Sequence, residues 1–209
     1  MYLNTGKLLV LSPQHMLECT RNPYSCGGSG GCEGATCELG FDMAKHGLAT
    51  AESVPYLGKD AVCAANVSLA ARTTGHVTLP SNQFAPLLHH IVNVGPLAIT
   101  VDASAWQLYE SGIFNGCDTS KLDLDHAVQL VGVNVDADGE GYYLVRNSWG
   151  VSWGENGFIR LYLGKNETCA TDSTPGDGIA CKGDNSPEKV CGTCGILFDT
   201  SYPTGAALY

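Results

Sequence analysis

The feature that most constrains how this chain folds is a switch in hydrophobic pattern at Gly95-Pro96. Upstream, apolar residues recur at helical spacing. Downstream they sit in short runs rich in Val, Ile, Leu and aromatic residues. Ser12-Pro13-Gln14 reads as an N-cap followed by Pro at the first helical position, predicting a short helix to about Cys19. Asn22 to Gly31 is a loop. A second helix is expected from Glu33, with Ala35, Leu39 and Met43 near one face and Gly47 as its stop. The segment from Ser53 to Asn66 reads as irregular. Ser81 is expected to cap a third helix carrying Leu87, Leu88, Ile91 and Val92, which ends at Gly95-Pro96. Strands are expected over 97–101, 127–135, 142–146 and 158–163, and a long polar loop from Lys165 to Lys189. The pattern predicts an α+β protein of two lobes, a helical one over 1–94 and a β-rich one over 95–209.

Charge and cysteine usage narrow the function. A net charge of −10 argues against a nucleic-acid partner, which needs a basic face to neutralise phosphates. No apolar run approaches the length of a membrane span. The ten cysteines are scattered and flanked by turn residues, so they read as disulfides of an oxidising compartment. Cys191-Gly192-Thr193-Cys194 has the C-x-x-C spacing of a zinc site, but no second such pair follows and no His lies near; no metal and no cofactor is expected. The sequons at Asn66 and Asn166 fit a secretory route. Residues 1–7 lack the basic start and apolar core of a signal peptide, so the precursor's true N-terminus is expected upstream of Met1.

His126 and Asn147 are the candidate chemical pair. The strand after His126 meets a turn cluster, Asp136-Ala137-Asp138-Gly139-Glu140-Gly141, and a second strand returns to Asn147. In such a hairpin the two side chains lie side by side or one step diagonal. An Asn carbonyl oxygen can then take one imidazole N–H and fix the tautomer, leaving the other nitrogen for a partner. A plain His and Asn satisfied at a strand end is the bland alternative. The Trp- and Gly-rich run Asn147-Ser148-Trp149-Gly150-Val151-Ser152-Trp153-Gly154-Glu155-Asn156-Gly157 is costly for an ordinary strand. Its Trp149 would exclude water from the Asn–His bond and strengthen it.

These residues, with Asp125-His126-Ala127-Val128, resemble the His and Asn motifs of papain-like cysteine proteases of the cathepsin L-like type. The resemblance extends along nearly the whole chain. Leu11-Ser12-Pro13-Gln14 to Cys19, Gly31-Cys32-Glu33-Gly34, Val54-Pro55-Tyr56 and Gly95-Pro96-Leu97 carry it, as do Tyr109 to Phe114 and Cys194-Gly195-Ile196 to Pro203. It implies a papain-like two-lobed fold with a helical first lobe and an antiparallel β-barrel-like second lobe. It implies endopeptidase chemistry, in which a Cys thiol passes its proton to His126, Asn147 holds His126, and Trp149 and Trp153 shield the pair. Ala35, beside the further substrate-binding candidate Gly34, matches a position whose backbone pairs with substrate, and Thr36 matches the lining of the main specificity pocket. Thr100, Leu124, Asp125, Ala127 and Asp199 match the substrate pocket, with Asp199 at the base, where it would admit a basic side chain two residues before the cut. Cys19–Cys63 and Cys117–Cys194 are the implied disulfides. Peptide or protein substrates, a prosegment, cystatin-like inhibitors, and a lysosomal, vacuolar or secreted location are implied as well.

The chain departs from that family where the nucleophile belongs. The family's Cys precedes the His by roughly 130–150 residues, which places it at about −4 to −24, before Met1. The Gln that donates to the oxyanion is also upstream, and Met1-Tyr2-Leu3 match the end of the long helix that the nucleophile begins. The first lobe is therefore expected to lack its central helix and to expose much of its core. Cys32 loses its usual partner and stays single or takes Cys26 or Cys37; Cys169, Cys181 and Cys191 leave one cysteine over. The expectation is an N-terminally truncated peptidase, inactive alone. The alternatives are a non-catalytic homologue serving as a binding or assembly module, and an unrelated disulfide-rich secreted scaffold.

Overall fold

The computed structural model describes residues 5–209, so the expected helix end at Met1-Tyr2-Leu3 lies outside the described residues. The chain falls into two compact units, one running to Val77 and taking back Tyr202–Tyr209, the other Thr78–Ser201. The expected boundary at 94/95 differs from this division. The third helix belongs with the strands that follow it, because Leu87 is buried and the helix packs on the sheet.

The first unit opens with helix α1 (Pro13–Cys19), whose N-cap Ser12 accepts the His15 N–H and donates its hydroxyl to Val54. Gly31–Glu33 forms a 3-10 turn, and Gly34 follows at φ +91, so the helix expected from Glu33 is interrupted. It starts instead as α2 (Cys37–Ala44), which leaves Ala35 outside it. Short strands β1 (Leu48–Ala49) and β2 (Leu69–Arg72) pair antiparallel, and β3 (Gly75–Thr78) leads to the second unit. The core here is small: Met43, Ala44 and Leu48, flanked by Leu11, Met16 and Cys19. Large apolar side chains remain outside it, with Leu8, Val10, Tyr56 and Val62 all exposed. Cys19 is bonded to Cys63.

The second unit begins with α3 (Phe84–Asn93). Gln83 precedes it without a side-chain cap; Ser81 does not serve as one. The intervening Asn82 sits at φ +61, and its amide instead accepts the Cys191 N–H and donates to the Lys189 carbonyl. The buried positions of α3 are Leu87 and His90, while Val92 is exposed, so the apolar face is narrower than its pattern suggested.

The strands are β4 (Leu97–Val101), β5 (Ile113–Phe114), β6 (His126–Val135), β7 (Gly141–Arg146) and β8 (Phe158–Leu163). A smaller ladder of β9 (Cys169–Asp172) and β10 (Glu188–Cys191) follows, then β11 (Thr200–Thr204). A last strand, β12 (Ala207–Leu208), pairs with β2 in the first unit. In the main sheet β11, β4, β6, β7, β8 and β5 lie side by side in that order.

The sheet is open and does not close into the expected barrel. Its end strand β5 is two residues long and pairs in parallel with β8, which leaves too little ladder to complete a ring. Alternation selects the core: Ile159, Leu161 and Leu163 of β8 are buried, facing Val145, Tyr143 and Gly141 of β7. Leu97 and Ile99 of β4 face Leu130 and Val128 of β6 in the same way. Near the middle of β6 the register with β7 shifts between Leu130 and Gly132, a bulge that inserts Val131.

The segment expected as a polar loop over 165–189 is partly ordered. β9 and β10 pair with Cys169 opposite Cys191, and those two are disulfide-bonded. Leu130 is fully buried between Leu97 and Val145 in the centre of the sheet. Leu130→Ala is expected to destabilise the chain by about 2–5 kcal/mol, measured as a lower urea midpoint at unchanged slope.

Candidate active site

His126 opens β6, with its Cα opposite Val101 of β4. Asn147 lies one residue beyond β7, and its backbone N–H donates to the Gly157 carbonyl at 2.9 Å. The ladder pairs Gln129 with Arg146, so continuing it sets Asn147 opposite Val128, two residues from His126. The pair is therefore diagonal, the second of the two arrangements the hairpin allows.

Asn147 Oδ1 lies 2.9 Å from His126 Nε2 and also accepts the Ser148 backbone N–H at 2.7 Å. A backbone N–H can only donate, which fixes the oxygen end of the amide on this side. The oxygen can only accept from the ring, so Nε2 carries the hydrogen. In the neutral imidazole Nδ1 is then the nitrogen able to take up a proton.

Aromatic rings enclose the imidazole. Trp149 lies 5.2 Å from it, tilted by 33°, and is itself 39% exposed. Trp106 meets it edge-on at 6.3 Å and is fully buried. Trp153 stacks on Trp106 and donates its indole N–H to the Trp106 carbonyl at 3.1 Å. Trp149 stands edge-on to Trp153, so the three indoles form one cluster. Sequence reasoning missed Trp106, although it is one of only three Trp in the chain. Its place 20 positions before His126, in no motif, gave no signal.

The turn that carries Trp149 and Trp153 needs its glycines. Gly154 has φ +54, and a Cβ there would lie 2.6 Å from the Phe158 carbonyl oxygen. Glu155 anchors the same turn: it accepts from Arg160 at 2.6 and 2.8 Å and from the Gly112 N–H at 2.9 Å.

The substrate-pocket candidates divide. Thr100 and Ala127 are paired across β4 and β6, and Thr100 Oγ1 donates to Asp199 Oδ2 at 2.5 Å. Asp125 is exposed and accepts the Ala103 N–H. Leu124 departs from expectation: it is fully buried and packs with Leu122 and Val190, a core residue with no surface to offer a substrate. Gly34, Ala35 and Thr36 belong to the first unit, at the break before α2.

Cys117 is bonded to Cys194. Cys194 and Cys191 thus sit in separate disulfides, which removes the C-x-x-C pair as a zinc site. Cys26 and Cys181 are also disulfide-bonded, and Cys32 is a free, exposed thiol. No helix is long and apolar enough to cross a membrane, among the described residues.

The chain belongs to the papain family of cysteine proteases, whose family description matches residues 1–177. It is 37% identical over 177 residues to procathepsin L of Rattus norvegicus, covering 81% of this chain and 52% of that protein. It is 34% identical over 173 residues to cathepsin L of Sarcophaga peregrina, covering 80% and 50%. The bromelain protease of Ananas comosus, solved with a bound inhibitor, superposes with a TM-score of 0.73 at 31% identity, covering 98% of this chain and 82% of that one. The fold is thus papain-like. The chain spans about half the length of the curated relatives it matches.

The residues just before His126 are held by buried carboxylates. Asp172, fully buried, accepts the Leu124 and Thr174 N–H groups, and Asp102 accepts that of Asp123. Asp123 has a carboxyl oxygen buried without a partner. Burial first, then the charges of Asp172, Asp177 and Asp125, push its carboxyl up to about 6, against a small opposing bond from Thr174. The folded chain therefore holds this proton more tightly than the unfolded one. The contribution is complete below about pH 4 and is lost as pH rises to 6 and beyond. Asp123→Asn is expected to be more stable than the parent at pH 7, by roughly 1 kcal/mol after solvent screening. The gain should vanish at about pH 4 in paired urea titrations, below the ordinary aspartate value.

Proposed function

We propose that this chain carries the acid–base half of a cysteine-peptidase site, with His126 moving the proton and Asn147 holding the imidazole. The observation that carries the reading is the Asn147 oxygen shared between His126 Nε2 and the Ser148 N–H. It leaves Nδ1 to receive the proton of a cysteine thiol. The thiolate attacks a peptide carbonyl, the imidazolium returns its proton to the leaving amine, and water then hydrolyses the thioester. Trp149 and Trp106 keep water from the bond that orients the ring.

The nucleophile in this reading is not one of the ten cysteines. Eight are in disulfides. Burial and the neighbouring Asp60 carboxylate push the Cys32 thiol up, opposite to what an attacking thiolate needs. Cys37 opens α2 in the first unit. These 209 residues alone should therefore be inactive as an endopeptidase, while a protein that adds the thiol is competent. The same lack of an activated thiol favours a second reading, a non-catalytic homologue that serves as a binding or assembly module.

Thr100, Ala127 and Asp199 support a pocket for the side chain two residues before the cut, with the Asp199 carboxylate admitting basic as well as apolar groups. The disulfides suit a lysosomal, vacuolar or secreted setting. A prosegment and cystatin-like inhibitors are the partners that reading carries.

A thiol-directed epoxide should leave the mass of this chain unchanged. An adduct on Cys32 or Cys37 that disappears in His126→Ala would overturn its inactivity. In a peptidase completed with the nucleophile, His126→Ala should lower kcat by roughly 10²–10⁴-fold; unchanged turnover would remove the catalytic role. In the same enzyme Asp199→Ala should selectively slow cleavage after an Arg-containing site relative to a Phe-containing one. An unchanged Arg-to-Phe ratio of kcat/KM would discard the pocket assignment.

A further inference from the structure

Four asparagines among the described residues precede glycine or serine: Asn115-Gly116, Asn147-Ser148, Asn156-Gly157 and Asn185-Ser186. Asparagine is a thermolabile side chain. In such pairs the following backbone nitrogen can attack the side-chain carbon and expel the amide. Glycine favours the attack, having no side chain to obstruct it. The folded structure decides where this happens, because the attacking nitrogen must be free of hydrogen bonds and able to move.

Three of the four pairs are blocked. The Ser148 N–H is held by the Asn147 oxygen at 2.7 Å, and Asn147 is buried. Gly157 is buried, and its N–H donates to the Trp153 carbonyl at 2.8 Å while its own carbonyl takes the Asn147 N–H. Asn156 is fixed at φ +57 in the same turn. The Ser186 N–H donates to Asp184 Oδ1 at 3.1 Å. Asn115-Gly116 differs on every count. Both residues are exposed and lie in no helix or strand, between the end of β5 and Cys117. Neither the Asn115 side chain nor the Gly116 N–H makes a hydrogen bond among the described residues.

We propose that Asn115 is a site of spontaneous deamidation, with water as the sole co-reactant. The Gly116 nitrogen bonds to Asn115 Cγ, the Cγ–Nδ2 bond breaks, and Nδ2 leaves as ammonia with the proton that the Gly116 nitrogen gave up. Water then opens the cyclic imide at either carbonyl. One route gives aspartate; the other gives isoaspartate, in which the main chain runs through the side-chain carbon. Nothing is oxidised or reduced. The attacking nitrogen must shed its proton, so acid suppresses the step and neutral or alkaline conditions release it. Either product adds a negative charge at neutral pH to a chain already at −10. Isoaspartate also lengthens the main chain beside the two-residue strand β5. There Phe114 meets Tyr109 edge-on at 5.9 Å, and Tyr109 lies 5.7 Å from Trp153. The change therefore begins two ring contacts from the indole cluster. This inference does not depend on the peptidase reading.

The test incubates the intact chain in buffers from acidic to mildly alkaline and follows each asparagine by peptide mass spectrometry, with isoaspartate detected by enzymatic methylation. In the folded chain Asn115 should convert at least about tenfold faster than Asn156, a ratio within reach of one backbone hydrogen bond. Conversion of Asn115 should quicken as pH rises. In urea with the disulfides reduced, the two Asn-Gly pairs should convert at similar rates, since the fold alone separates them. Gly116→Ala should slow conversion at Asn115 by about tenfold, and Asn115→Gln should remove the isoaspartate signal there. An Asn115 that keeps its amide in the folded chain, equal folded-state rates at Asn115 and Asn156, faster conversion at Asn185, or a gap of about tenfold that survives unfolding would each overturn the proposal.

Discussion

A single carbonyl oxygen sets the chemistry that the second unit can perform. Asn147 Oδ1 serves two donors at once, the Ser148 backbone N–H and His126 Nε2. The backbone donor cannot change roles, so it decides which end of the amide faces the ring. The ring nitrogen must then donate. Without the Ser148 bond the amide could turn over and offer its NH₂ to the imidazole, which would reverse the protonation of the two nitrogens. The tautomer of His126 is thus written in main-chain geometry, at the point where β7 gives way to the Trp-bearing turn.

That geometry depends in turn on two ladders and one indole cluster. Pairing with β4 locates His126, and pairing with β7 locates Asn147. Trp106, Trp149 and Trp153 fill the space around the ring, and the Glu155–Arg160 pair ties their turn to β8. Near-neutral aromatic surroundings raise the strength of the Asn–His bond by excluding water. Among the described residues, the groups bonded to or stacked around the imidazole, Asn147, Trp106 and Trp149, all lie in the second unit.

Most of the β-rich half was legible in the sequence because its signals were local. Alternation and chain length placed β4, β7 and β8 within a residue of their positions. The Ser12-Pro13 cap did the same for α1. Where the reading failed, a non-local or conformational term decided. Gly34 at positive φ broke the helix expected from Glu33. Asn82 took β10 as its partner and displaced Ser81 from its capping role. The barrel depended on whether end strands meet, which no window of sequence reports. In the candidate site, His126 and Asn147 were named from their motifs and are hydrogen-bonded, while Trp106, which lies in no motif, was not named. Family resemblance places Leu124 in the pocket, but it packs with Leu122 and Val190 in the core, a tertiary contact that its neighbours in sequence do not report.

The polar segment between β9 and β10 has a consequence for how this chain can vary. It is fastened at its base by Cys169–Cys191 and by the buried Asp172, which grips the Leu124 N–H just ahead of His126. Loop closure is therefore settled at the neck, and doubling the length beyond it costs only about 0.6 kcal/mol. Insertions and deletions can accumulate in the exposed stretch 182–187, whereas Pro175, Ile179 and the disulfide-bonded Cys181 hold the part before it. The neck behaves as a mechanical fuse: change outside it is absorbed in solvent, whereas a loss at Asp172 passes straight to the strand that bears the imidazole.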